Sequence, residues 1–183
     1  MNIKECAAWL NEHDDILILT HIRPDGDTLG GAAALCSALR RTGKNAALFN
    51  NPDITPKYFK YVKYFVSDNF DFACTLAVDV AEAHMLPTGF TGTVDVCIDH
   101  HPSNSHYAEK LLLDVGIAPL QLVDQILHLL PTGGAVGGTG VVDHRQAEPF
   151  HRAADVGLPA VQQRTDLGDA RAVQIRHRLE AAD

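Results

Sequence analysis

Short apolar runs of strand length recur through the first 115 residues, each set off from the next by a stretch of helical spacing or a polar loop. That alternation limits the fold more than any other feature of the chain. A continuous apolar run of roughly four to eight residues suits a strand buried on both faces, and strands alternating with helices build a mostly parallel sheet with helices on both sides. Residues 3–12 space Ile3, Cys6, Ala7, Trp9 and Leu10 along one helical face, and DILILT at 15–20 follows as the first strand. After the polar loop HIRPDGD, Thr28 is placed to cap a helix over 29–42 that stops at Gly43, ahead of a strand at 45–49. A helix around 56–65, strands CTLAVDV at 74–80 and VDVCID at 94–99, and a short strand KLLLD at 110–114 continue the pattern. The spacing of Leu120, Val123, Ile126, Leu127 and Leu130 predicts a helix within 116–130. The expected fold is α/β, a doubly wound and mostly parallel sheet spanning residues 1–130.

Composition removes several classes of function. The 183 residues suit one domain or a little more, and no run approaches the roughly 20 apolar residues of a membrane span. A net charge of −8 gives no general attraction for a long nucleic-acid backbone, although metals or a local basic patch can still recruit a phosphate. Cys6, Cys36, Cys74 and Cys97 lie far apart with no CxxC pair, and the N-terminus lacks the basic-then-apolar design of a signal peptide. A reduced, cytoplasmic protein is expected.

In parallel sheets ligands bind beyond the carboxyl ends of the strands. Three expected strands end on or beside ligand-type residues: ILILT runs into His21, LAVDV contains Asp79, and VDVCID ends at Asp99, His100 and His101. Within the first loop, His21, Asp25 and Asp27 lie at spacings of four and two, with Pro24 and Gly26 shaping a tight turn. Alone, PDGD is a common turn, Asp79 a helix cap and the adjacent histidines surface residues. Together they suit a borderline-hard divalent ion such as Mn²⁺, and the lack of nearby cysteine argues against structural zinc.

THIRPDGDTLGG, LAVDV and IDHHPSN resemble, in order and approximate spacing, three motifs of the DHH phosphoesterase superfamily, over residues 1–114. The form HxxPDGDxLG with DHHxSN is most similar to the branch of oligoribonucleases and phosphoadenosine-phosphate phosphatases (NrnA-like). Manganese pyrophosphatases, which usually have Thr where Gly26 stands, are the alternative. The resemblance implies that His21 and Asp25 hold one Mn²⁺, that Asp27 and His100 hold another, and that Asp79 bridges the two. It gives Asp99 the task of orienting a neighbouring imidazole and His101 a place facing the scissile phosphate, while Asn104 either steadies its loop or touches substrate. The implied reaction is hydrolysis of short oligoribonucleotides or phosphoadenosine phosphate by a water activated between two Mn²⁺, with Mg²⁺ as the alternative ion. The partners would be a short oligoribonucleotide or small phosphorylated nucleotide, not a long duplex or a membrane, and a second copy of the chain in a homodimer.

Beyond residue 114 the chain contains no Lys, Asn, Ser, Tyr, Trp, Cys or Met, and residues 131–183 form an atypical tail. The family's fourth motif, an Asp that completes the second metal's shell, has Asp155 as its favoured counterpart by spacing and Asp143 as the alternative by context. The family's C-terminal substrate-binding domain is expected to be missing or disrupted. Loss of seven residue types together with family likeness suggests that part of the tail lies outside the ancestral reading frame; an uninterrupted gene with related tails elsewhere would overturn this. Three classes of function follow: a two-metal phosphoesterase, a non-catalytic remnant that binds metal without turnover, and a nucleotide- or partner-binding module that needs no metal.

Overall fold

A computed structural model describes residues 1–131, so the expectations for residues 132–183, including those for Asp143 and Asp155, lie outside the described residues. The chain opens with α1 (Ile3–Glu12), started by a reciprocal cap in which the Asn2 side chain accepts from the Glu5 backbone N–H and the Glu5 carboxylate accepts from that of Asn2. It buries Cys6, Ala7, Trp9 and Leu10, as the helical spacing predicts. The four residues of β1 (Ile16–Leu19) are all buried.

Helix α2 (Gly26–Arg41) starts three residues earlier than the sequence suggests. PDGDT offers three capable caps, and Asp25 takes the role: its Oδ1 accepts from the backbone N–H groups of Asp27 at 2.9 Å and Thr28 at 3.2 Å. Thr28 sits inside the helix, and its hydroxyl donates instead to the Val78 carbonyl at 2.9 Å. The helix also lies close against the sheet, since a Cβ at Gly31 would stand 3.3 Å from Val78 Cγ1.

β2 (Ala46–Phe49) leads to α3 (Pro56–Val62), which ends three residues short of the expected 65 as the chain turns into β3 (Val66–Ser67), a two-residue edge strand just past the expected helix that the sequence pattern does not announce. β4 (Cys74–Val78), a 3-10 turn at Ala83–Met85, β5 (Val96–Asp99), β6 (Lys110–Leu113) and α4 (Pro119–Leu127) complete the described residues.

The strands form one sheet in the order β3-β2-β1-β4-β5-β6, with every pair parallel. The fold is the expected α/β parallel sheet. From β1 the chain winds outward through β2 to β3, then returns to pair β4 on the other side of β1, so the winding reverses between β1 and β4. Such a reversal splits the connections apart at the carboxyl ends of the two strands and leaves a crevice for ligands.

Alternation along the strands makes two apolar layers. Ile16, Ile18, Leu48, Leu76, Val78, Val96 and Ile98 pack with buried residues of α1, α2 and α4. Leu17, Leu19, Ala77 and Cys97 face the other way, against Phe49 at the end of β2 and against Met85, Phe90 and Tyr107 from the 3-10 turn and loops. Among the described residues, α1, α2 and α4 serve the first layer, and a short helical turn with aromatic side chains serves the second.

Candidate metal centre

Each ligand-type residue is set by the way its strand ends. Beyond β1, His21 Nδ1–H donates to the Ile22 carbonyl at 2.7 Å, which leaves its Nε2 as a free lone pair. Asn51, buried beyond the end of β2, ties this turn down by donating to the Thr20 hydroxyl at 3.1 Å and the His21 carbonyl at 2.9 Å. Asp25 caps α2 through one oxygen, so the cap also fixes a carboxylate at the head of the helix.

Beyond β4, Asp79 adopts the left-handed conformation at φ +62°, which an Asp tolerates better than most residues. Its N–H still donates to the Ile98 carbonyl at 2.8 Å, so sheet bonding holds to the last residue before the chain turns. Asp79 is only 5% exposed, and its Oδ1 has no hydrogen-bond partner. His100 Nε2 and His101 Nδ1 each stand 3.6 Å from that oxygen. Burial pushes the Asp79 carboxyl up from 3.8 to about 6; His101, His21 and His100 pull it down, and Asp99 adds to the rise.

Beyond β5, the carboxylate of Asp99 is fully buried and fully engaged. Its Oδ1 accepts from His101 Nδ1 at 2.7 Å, and its Oδ2 accepts from the Asn104 amide at 2.6 Å. Asn104 Oδ1 in turn accepts from the His106 N–H at 2.8 Å. Beneath this brace burial pushes the Cys97 thiol up to about 12, so it stays a neutral packing group beside Tyr107 and Asn104.

Two groups of ligand-type residues result. His21, Asp25 and Asp79 form one; Asp79, His100 and His101 form the other; within each, the ligating atoms lie within 4.8 Å of one another. Asp79 belongs to both. Asp27, expected to share a cation with His100, belongs to neither group of three and sits half-buried in the first turn of α2. Asn104 is buried with both ends of its amide used inside the protein, Nδ2 donating to Asp99 and Oδ1 accepting from the His106 N–H.

Two residues act here in ways the sequence does not announce, Thr28 by its hydroxyl bond to the Val78 carbonyl and Asn51 by its bonds to the turn after β1. Of the two, Asn51 carries a usable signal, being a polar residue just past the carboxyl end of a strand in a parallel sheet. A buried orphan carboxylate oxygen among imidazoles and a second carboxylate, with no cysteine donor, fits a divalent cation of borderline hardness.

The DHH family, N-terminal domain, matches residues 15–115. Three curated relatives share parts of the chain. A bifunctional oligoribonuclease and PAP phosphatase NrnA from Bacillus subtilis is 24% identical over 129 residues, covering 68% of this chain and 41% of the relative. The protein of that name from Thermus thermophilus is 30% identical over 123 residues, covering 63% and 37%. A probable bifunctional oligoribonuclease and PAP phosphatase NrnA from Streptococcus mutans is 26% identical over 157 residues, covering 75% and 49%. The matched part thus spans between about a third and a half of each relative's length. Among solved structures, an exopolyphosphatase-related protein from Bacteroides fragilis matches with a TM-score of 0.52 at 19% identity, covering 69% of this chain and 43% of that one, which shows a shared fold. With the matched domain ending each central strand on the motif residues of the site, the chain belongs to the DHH superfamily, and its curated relatives place it on the NrnA-like side.

Proposed function

We propose that the chain is a metal-dependent phosphoesterase acting on short oligoribonucleotides or phosphoadenosine phosphate, with Mn²⁺ as the preferred cation and Mg²⁺ as the alternative. The observation that carries this is the pair of ligand groups sharing Asp79, whose buried Oδ1 has no partner within the protein. In the proposed arrangement His21, Asp25 and Asp79 hold one cation, and Asp79 and His100 begin the shell of a second, with Asp27 and Asp155 as further candidate ligands. Bound there, two divalent cations supply an acidified water and neutralise charge on the phosphoryl oxygens.

The chain's own groups do the positioning. His101 gives its Nδ1–H to Asp99, which fixes the orientation of the ring, and with a proton on both nitrogens its Nε2–H would donate to a phosphoryl oxygen. Asn104 holds the far oxygen of Asp99 and so keeps that imidazole in place. The four cysteines are buried and far apart in sequence, which fits a reducing, cytoplasmic setting.

The test is a pair of measurements on the full chain: thermal unfolding with and without Mn²⁺, and hydrolysis of a diribonucleotide, phosphoadenosine phosphate and inorganic pyrophosphate. An upward shift with Mn²⁺ that Asp79→Asn abolishes, together with release of nucleoside monophosphate, supports the proposal. Pyrophosphate as the sole substrate would favour the pyrophosphatase reading, and stabilisation without any turnover the non-catalytic one.

A further inference from the structure

Six lysines occur in the whole chain, and three of them, Lys57, Lys60 and Lys63, fall within the seven residues of 57–63. Each is followed by a tyrosine: Tyr58, Tyr61 and Tyr64. No acidic residue lies between Asp53 and Asp68, although the chain carries a net charge of −8. Residues three apart on a helix are neighbours, so α3 and the turn after it carry a row of lysines beside a row of tyrosines. Each lysine ammonium lies over the ring that follows it, at 4.8, 4.7 and 4.9 Å from the centroid. The inner member, Tyr58, packs against the core, while Tyr61 is 48% and Tyr64 59% exposed.

Position gives the segment its meaning. The Tyr58 ring would be 3.7 Å from a Cβ on Gly26, the residue between Asp25 and Asp27 at the head of α2. The lysine–tyrosine rows therefore begin at the metal centre and run away from it along α3, covering roughly 9 Å from Lys57 to Lys63 at helical rise.

We propose that α3 and the turn after it are a binding track for single-stranded oligoribonucleotide, in which Tyr61 and Tyr64 stack bases and Lys57, Lys60 and Lys63 meet phosphates while the strand's end reaches the cations. The choice of a nucleic acid strand rests on the phosphoesterase reading. It follows from the chemistry too: alternating aromatic faces and cations fit a polymer of alternating bases and phosphates, and any base can stack. A strand of a few nucleotides fits so short a track, which agrees with a chain whose overall charge repels longer ones.

The test is fluorescence anisotropy of a labelled five-nucleotide oligoribonucleotide with the full chain in EDTA, where hydrolysis is silent, measured across a salt series. Lys57→Gln, Lys60→Gln and Lys63→Gln combined should weaken binding tenfold or more and reduce the slope of log affinity against log salt by about 2. Tyr61→Ala and Tyr64→Ala should each cost about tenfold, and Tyr61→Phe and Tyr64→Phe should restore binding, since the ring and not the hydroxyl does the stacking. Unfolding midpoints close to that of the unmodified chain exclude a folding defect, and any variant that fails this check is replaced by its single-lysine counterpart. An unchanged affinity and salt slope in the folded lysine variant, or no binding by the unmodified chain, overturns the proposal. So does a change in oligomeric state by light scattering with RNA binding intact, which would make the rows a protein interface. Hydrolysis of bis(p-nitrophenyl) phosphate with Mn²⁺, compared between the unmodified chain and Asp79→Asn, separately tests the metal centre, so either idea can fail alone.

Discussion

Neighbouring strands β4 and β5 place a buried aspartate at each end of the sheet, Asp95 before β5 and Asp79 after β4, 8% and 5% exposed. At the amino end, Asp95 Oδ2 accepts from the Thr75 backbone N–H at 2.7 Å and from its hydroxyl at 3.1 Å, and the Asp95 N–H donates back to that hydroxyl. At the carboxyl end, Asp79 Oδ1 has no partner, its backbone is left-handed and its carboxyl is raised to about 6. Burial is nearly equal in the two places. What differs is satisfaction: the first aspartate spends its acceptors on the fold, whereas the second keeps one in reserve at a cost to the fold. A buried polar group without a partner destabilises by about 1–3 kcal/mol, so its persistence at the switch point marks a place kept for something that binds.

The sharpest way to break this contrast is Asp79→Asn. Asn accepts the same left-handed backbone and removes the charge, so hydrolysis and Mn²⁺ affinity should each fall roughly a hundredfold or more, beyond the loss typical of groups that only orient a ligand. The metal-free variant should at the same time unfold at a higher temperature than the unmodified chain, because the strained charge is gone. A fall in both activity and metal-free stability would show Asp79 to be an ordinary structural residue like Asp95.

Asn104→Ala comes next. Without its amide Asp99 keeps only His101, and Mn²⁺ affinity measured by titration should drop about 10- to 100-fold while the unfolding transition stays cooperative. Unaltered affinity would place the brace outside the site's function.

A third effect concerns pH. The Asp79 carboxyl titrates near 6 in the folded chain against 3.8 ordinarily, so between those values the folded state holds a proton that the unfolded state has released. The stability from that proton is complete below about 3.8 and lost as pH rises through 6. In EDTA the chain should therefore lose on the order of 1–2 kcal/mol between pH 4.5 and 7.5 from this group, the figure being reduced for water reaching the half-exposed histidines beside it. Urea unfolding across that range should show the slope in the unmodified chain and a flatter one in Asp79→Asn. Smallest of all, Thr75→Val should destabilise by about 1 kcal/mol and leave Mn²⁺ affinity alone, the mirror image of the first substitution.

Where the chain's chemistry is local, the sequence announced it. The strand β1 and helix α1 have nearly the bounds that apolar periodicity suggests, and His21, Asp79, Asp99, His100 and His101 could all be placed at strand ends because a parallel sheet sends its carboxyl ends to one edge. Where several residues compete for one role, the sequence could not choose. Asp25, Asp27 and Thr28 are equally capable caps, and Thr28 was lost to that role only because Val78, some 50 residues on, offers its carbonyl. The amide of Asn104 is likewise assigned by a carboxylate that folds in beneath it. The edge strand β3, at two residues, is too short to make a pattern of its own, and only its pairing with Leu48 and Phe49 reveals it.

The register of β1 against β4 sets Ile16 beside Cys74, so the two turns that carry His21 and Asp79 meet only after a loop of more than fifty residues has closed. Contacts so distant in sequence form slowly, because the entropy of closing the loop must be overcome before any pairing rewards it. A cation that needs His21 and Asp79 together has nothing to grip in a partly ordered chain. Its influence is therefore expected on the lifetime of the native state: it slows escape from the finished fold without hastening arrival, so the chain grows more persistent as it is loaded.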